Sequence, residues 1–379
     1  MRSAGRMGLT PVRLLLLMGL VLAACRSSAP EDTARPSPDP TSPPLVSARL
    51  LTEVVSRDAI PSIDDPRFIS PERAGWLAGR EPVIALEIDG DARAYPLQIM
   101  TWHEIVNDVV GGHPVAVTFC PLCNSAVAYD RRVDGRVLEF GTSGMLYRSA
   151  LVMYDRQTES LWAHFDGLAI RGPLTGERLD LVPVQMLSFD QWRREYPAGK
   201  VLSRHTGQDR EYGRNPYESY DSKDAPIGPF FKGAWDRSLR AMARVVGVSW
   251  GDAATAYPYR TLSPGDRPAV VEDVVGGRRI VVFWEPGVAS ALDEPTIADG
   301  RDVGTSGVFI PEAGGHDLTI AVRDGRIVDR ETGSTWNVAG RATRGPLAGE
   351  RLEPVIHLDA FWFAWQAYYP GTRVYGADP

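Results

Sequence analysis

Cysteine is scarce in this chain. Three occur in 379 residues, Cys25, Cys120 and Cys123, so a fold stapled by several disulfides is excluded. Histidine is nearly as sparse, with six: His103, His113, His164, His205, His316 and His357. There is one Cys-x-x-Cys and no second pair of ligands at zinc-module spacing, which argues against a closed zinc ribbon or finger. No run of basic residues is interleaved with aromatics, and the net charge is −7. The chain therefore lacks the electrostatic footprint of a nucleic-acid partner. No phosphate-binding loop or dinucleotide fingerprint is present. Ser143, within Gly141-Thr142-Ser143-Gly144, lacks the glycine spacing of a nucleophile elbow and reads as a turn. What remains is ordinary for a globular chain: 44 % hydrophobic and 23 % charged residues, with enough length for two domains or one large one.

The N-terminus reads as a targeting segment. Arg2, Arg6 and Arg13 precede an apolar run from Leu14 to Val21, too short for a comfortable membrane span. Leu22-Ala23-Ala24-Cys25 follows, with small residues directly before a cysteine, as in a bacterial lipobox. Residues 1–25 are thus expected to be a lipoprotein signal peptide, with Cys25 carrying the lipid and anchoring the chain to a membrane. Residues 26–48 are rich in Pro and Ser and are expected to form a disordered tether. The folded part would then be extracytoplasmic, periplasmic or extracellular, where disulfides can form.

Beyond the tether the chain repeats itself. Asp155-Arg156-Gln157-Thr158-Glu159-Ser160-Leu161-Trp162 returns as Asp329-Arg330-Glu331-Thr332-Gly333-Ser334-Thr335-Trp336. Arg171-Gly172-Pro173-Leu174 returns as Arg344-Gly345-Pro346-Leu347, Ala94-Tyr95-Pro96 as Ala256-Tyr257-Pro258, and Gly111-Gly112 as Gly276-Gly277. Gly141-Thr142-Ser143-Gly144 also has a match in Gly304-Thr305-Ser306-Gly307. The reading is an internal duplication: a first half over 49–204, a connecting segment over 205–242 and a cysteine-free second half over 243–379. Locally, Asp89-Gly90 and Asp134-Gly135 predict hairpins. Leu97 to Asn107 has helical apolar spacing, strands are expected over 115–119 and 126–130, and a short helix over 234–242. The fold class expected is α+β and β-rich, with two homologous halves packed as one compact unit.

Residues shared by both halves are expected to carry the fold. Residues confined to one half are the candidates for function. By that test Cys120-Pro121-Leu122-Cys123 and His103 stand out. Two thiolates on one turn reach one ion, and His103 offers a nitrogen, so Cys120, Cys123 and His103 form a candidate metal site. Asp108, Glu104 or His164 would be the fourth ligand, and the donor set suits zinc or copper. Three alternatives stand beside it. One is a non-catalytic ligand-binding or scaffold lipoprotein whose cysteines form a structural disulfide. Another is a thiol–disulfide oxidoreductase, since a proline lies within the Cys-x-x-Cys. The third is a nucleophilic cysteine with His103 as its base.

Trp102-His103-Glu104-Ile105-Val106-Asn107-Asp108, Cys120-Pro121-Leu122-Cys123, Ser143-Gly144, and Asp155 to Trp162 with Gly172-Pro173-Leu174 together resemble the bacterial domain-of-unknown-function family 3179, here in an exported, lipobox-bearing form. The resemblance runs over most of the chain after the tether and implies no particular activity. At His164 it implies a polar residue such as Gln, which counts against His164 as a member of a shared site.

Overall fold

The first long hairpin of the chain turns at Asp89-Gly90. Both turn residues adopt positive φ, 49° and 80°, which matches the twist of the two strands it joins, Pro82–Ile88 and Asp91–Pro96. The computed structural model describes residues 43–377, except 227, 229, 232, 233, 263, 264 and 266. The expected signal peptide, Cys25 and most of the tether lie outside the described residues. The protein is β-rich, with only a few short helices. Among the described residues, no helix is long and apolar enough to cross a membrane.

Three pairs of sheets follow matching orders. In the first pair, Gln185–Ser188, Pro82–Ile88, Asp91–Pro96 and Lys200–Leu202 lie side by side, as do Leu358–Phe361, Arg244–Trp250, Ala253–Pro258 and Arg373–Val374. The last strand of each is the parallel one. The second pair runs Leu181–Val182, Ser125–Asp130, His113–Cys120, Ile105–Val110 and, correspondingly, Glu353–Pro354, Thr305–Ile310, Arg278–Glu285, Ala269–Val275. The third contains Phe140–Tyr147, Ala150–Asp155, Leu161–Ala163, Ala169–Arg171 and, correspondingly, Ile320–Arg323, Arg326–Asp329, Thr335–Trp336, Ala342–Arg344.

The repeated Asp-Arg-x-Thr-x-Ser-x-Trp segment has a physical explanation in both copies. Asp155 accepts from the Thr158 backbone N–H at 2.6 Å, the Thr158 hydroxyl at 2.8 Å and the Trp162 indole at 2.9 Å. Asp329 accepts from Thr332 N–H at 2.6 Å and the Trp336 indole at 3.0 Å. One carboxylate thus closes a turn and anchors a buried tryptophan. Ser160 and Ser334 accept from the backbone of Leu174 and Leu347 at 2.9 and 3.0 Å. This draws the Gly-Pro-Leu segment so close that a Cβ on Gly172 or Gly345 would sit 2.7 Å from a serine Cα.

Two expectations are revised. The helix expected over 97–107 ends at His103, and Ile105–Val110 is a strand. Ile105, Val106, Val109 and Val110 are β-branched, and pairing with His113–Cys120 across the Gly111-Gly112 turn outweighs the helical spacing. Among the described residues no helix forms over 234–242, which runs as turns. The two Gly-Thr-Ser-Gly segments also differ in setting. Gly141–Gly144 sits in the strand paired with Ala150–Asp155, whereas Thr305–Gly307 pairs with Arg278–Glu285, so their likeness does not reflect a shared position.

Candidate metal centre

The central strand His113–Cys120 pairs with Ser125–Asp130, with Cys120 opposite Ser125. Pro121-Leu122-Cys123-Asn124 closes the turn between them. The Asn124 N–H donates to the Pro121 carbonyl at 3.3 Å, and Asn124 takes the positive φ of 53° that asparagine tolerates better than most residues. The turn returns the Cys123 thiol to 3.7 Å from the Cys120 carbonyl. Both thiols are free and buried. Thr118 lies two residues before Cys120, on the same face of the strand.

His164 follows the strand Leu161–Ala163. The Cys120 and Cys123 sulfurs and a His164 ring nitrogen all lie within 4.8 Å of one another, and the three residues are 2 %, 0 % and 0 % exposed. Hydrogen bonding fixes the ring's protonation. The single proton of the Thr118 hydroxyl goes to the Val127 carbonyl at 2.8 Å. Thr118 must therefore accept from His164 Nε2–H, 2.9 Å away. That leaves Nδ1 with a lone pair, and it is buried with no hydrogen-bond partner. Burial pushes the imidazole down to about 3, so it is neutral at physiological pH. Burial, followed by the neighbouring Cys120, pushes the Cys123 thiol well above its ordinary value.

Glu104 adds a further unusual feature. It ends the helix Leu97–His103 at φ 59° and ψ −30°, a conformation normally left to glycine or asparagine. Its carboxyl is buried and receives one long hydrogen bond, 3.4 Å from the Tyr217 hydroxyl. Burial pushes it up to about 8. The Glu104 charge is among the influences on Cys123. Close by in sequence, Asn124 Nδ2, Ser125 Oγ and Thr101 Oγ1 are also buried without partners.

The other residues singled out by sequence lie elsewhere. His103, expected as the nitrogen donor, is not part of the cluster. Its Nδ1 donates to the Pro61 carbonyl at 2.7 Å, and its Nε2 meets the Tyr212 hydroxyl at 2.6 Å. Asp108 accepts from the Tyr95 hydroxyl at 2.6 Å and from Arg93 at 3.1 Å. Tyr257 donates in the same way to Asp273 at 2.7 Å, so Asp108 belongs to the pattern repeated along the chain. The test that selected the cysteines also finds His164. Counting on from the repeated Trp162 and Trp336, its counterpart is Val338. The cysteine strand's counterpart ends at Glu285, paired with Thr305 where Cys120 pairs with Ser125.

Neither curated proteins nor solved structures yield a match to this chain. Residues 57–372, which include the cysteine turn, His164 and most of both halves, match the family model described as protein of unknown function, DUF3179, and the chain belongs to that family.

Proposed function

We propose that the protein holds one transition-metal ion, zinc or copper, between Cys120 Sγ, Cys123 Sγ and His164 Nδ1. One observation carries this reading. A buried histidine is fixed in the tautomer that leaves a bare lone pair, beside two buried free thiols. An unpaired buried acceptor costs about 1–3 kcal/mol, and coordination to an ion removes that cost. Two sulfurs and one imidazole suit zinc or copper, and three protein ligands leave a fourth position open. Glu104, expected as a possible fourth ligand, lies outside this group of ligand atoms, and only its charge acts on Cys123. With copper the same site supports one-electron chemistry. Thiol–disulfide exchange is less well supported, because reactive cysteines have a lowered pKa and partial exposure, whereas these are buried and the Cys123 thiol is raised.

On this reading the chain is an extracytoplasmic lipoprotein anchored through Cys25, and its two halves descend from one duplicated unit. The matching sheet orders and the paired Asp155–Trp162 and Asp329–Trp336 contacts support the duplication. The test is metal analysis of the full-length protein after exposure to zinc or cuprous ion under reducing conditions. One equivalent is expected in the wild type and in His103→Gln, a loss in the Cys120→Ser/Cys123→Ser double variant, and weakened retention in His164→Gln. Absence of stoichiometric metal from the wild type would refute the proposal. Thiol titration of protein purified and denatured without reductant would then distinguish a structural disulfide from free thiols.

A further inference from the structure

The Trp-His-Glu sequence, Trp102 to Glu104, directs three consecutive side chains at one stretch of the connecting segment. The Trp102 indole donates to the Arg214 carbonyl at 3.2 Å. His103 Nε2 meets the Tyr212 hydroxyl at 2.6 Å. Glu104 accepts from the Tyr217 hydroxyl at 3.4 Å. Three residues further on, the Tyr220 hydroxyl donates to the Leu122 carbonyl, inside the cysteine turn, at 2.9 Å. Tyr220 is buried, and the cysteines help to raise its hydroxyl. Along the same stretch Glu211, Arg214, Pro216, Glu218 and Ser219 are exposed. The stretch therefore presents tyrosines inward and a polar face outward, as a cover would.

Its two seams differ in kind. Against the first half the contacts are those side-chain hydrogen bonds. Against residues 292–297 of the second half they include backbone bonds: Asn215 N–H to the Pro295 carbonyl at 2.8 Å, Ser219 N–H to the Asp293 carbonyl at 2.6 Å and Ile297 N–H to the Gly213 carbonyl at 3.0 Å. A cleft of about 600 Å³ lies along the first seam, lined by Glu81, Gln98, Arg204, Tyr212 and Pro295 among others. The first seam is the one that parts first, since opening it frees no backbone N–H, whereas the second pairs backbone N–H with backbone carbonyl.

We propose that residues 205–222 form a gated cover over Cys120, Cys123 and His164, and that Trp102, His103 and Glu104 are its latch. The inference deepens the metal-site reading and rests on it for its purpose: the latch sets how fast an ion or a solution ligand reaches the cluster. Trp102 to Glu104 are positioning residues, acting through the cover.

The test uses metal-free full-length protein and a thiol-labelling reagent under native conditions. Each lost hydrogen bond is expected to raise the open population roughly fivefold. A Trp102→Phe/Tyr217→Phe double variant should therefore label about 25-fold faster than the wild type. Tyr196→Phe, which loses a hydrogen bond to Arg351 instead, should label at the wild-type rate. Native-state hydrogen exchange on the wild type supplies a readout free of any variant. The Trp102 indole N–H, which donates across the first seam, should exchange through a denaturant-insensitive opening, and the amides of Val115 to Cys120 only through global unfolding. Unchanged labelling in the double variant, or acceleration that only tracks its global unfolding, would overturn the cover. So would exchange of the indole N–H and these amides in a single step. The labelling needs no ion. A protein that takes up no metal but labels as expected would refute the metal site and leave the cover standing.

Discussion

Replacing Glu104 with glutamine should remove about 3–4 kcal/mol of the pH dependence of stability between pH 5 and pH 8. Burial raises the Glu104 carboxyl from 4.5 to about 8. A raised folded-state value means that stability present below 4.5 is lost as the pH climbs toward 8, because the unfolded chain ionises first. At about 1.4 kcal/mol per pH step, the loss between pH 5 and pH 8 is about 3–4 kcal/mol. His164 works in the opposite direction. Its folded value is lowered from 6.5 to about 3, so stability is lost as the pH falls below 6.5 toward 3, and raising the pH from 5 to 8 restores about 2 kcal/mol. His164, Glu285 and the other titrating groups contribute equally to both proteins. The change in stability from pH 5 to pH 8 should therefore be more favourable in Glu104→Gln than in the metal-free wild type by about 3–4 kcal/mol. The measurement is guanidinium unfolding of both proteins at both pH values in the presence of chelator, followed by tryptophan fluorescence. Other titrating groups cancel in the comparison. If the change from pH 5 to pH 8 is the same in both proteins to within about 1 kcal/mol, the account of Glu104 as a buried, poorly partnered carboxyl fails.

Three further outcomes follow from contacts already described. Asp155→Ala and Asp329→Ala each strand a buried indole N–H and a turn N–H, and should each cost about 3–5 kcal/mol in denaturant unfolding. Gly172→Ala forces a Cβ to 2.7 Å from the Ser160 Cα at a φ of +99°; a loss above about 2 kcal/mol is expected, again by unfolding. Thr118→Val removes the hydroxyl that holds the His164 tautomer, and chelator competition should show metal affinity lowered about 10–100-fold with the fold intact.

The sequence revealed the short-range structure best. Asp89-Gly90 and Asp134-Gly135 both turn as hairpins, because an Asp-Gly pair meets the positive φ demanded at each position. The cysteine strand and its partner were equally legible from turn residues and β-branched composition. The helix beyond His103 was not, since Ile105 to Val110 satisfies both periodicities over so short a run and tertiary pairing decides between them. The site was half legible. Both cysteines are in it, but the histidine that ends the helix was placed first, and His164, in a turn after Trp162, stood only as a possible fourth ligand. Its confinement to the first half drew attention to His103, yet its two nitrogens are consumed by Pro61 and Tyr212. Only the pairing of Thr118 with His164, 46 residues apart, determines which nitrogen is left bare, and no local pattern records a contact of that span.

The strongest pressure toward a bound ion comes from adding up what the first half tolerates without one. Glu104 holds a left-handed backbone and a buried carboxyl. His164 is kept neutral with an unpaired lone pair, and Asn124, Ser125 and Thr101 each bury a polar atom with no partner. Departures of this kind cost about 1–3 kcal/mol apiece, and sequences retain them chiefly where function requires it. The corresponding place in the second half is built differently. Between Glu285 and Thr305 the chain leaves the sheet entirely, and residues 292–297 of that excursion bind the connecting segment that also reaches Leu122. Residues 292–297 and the cysteine turn are thus tied to the same connecting segment. A disulfide alone would not need the bare Nδ1, whereas an ion between two thiolates and an imidazole gives it a role.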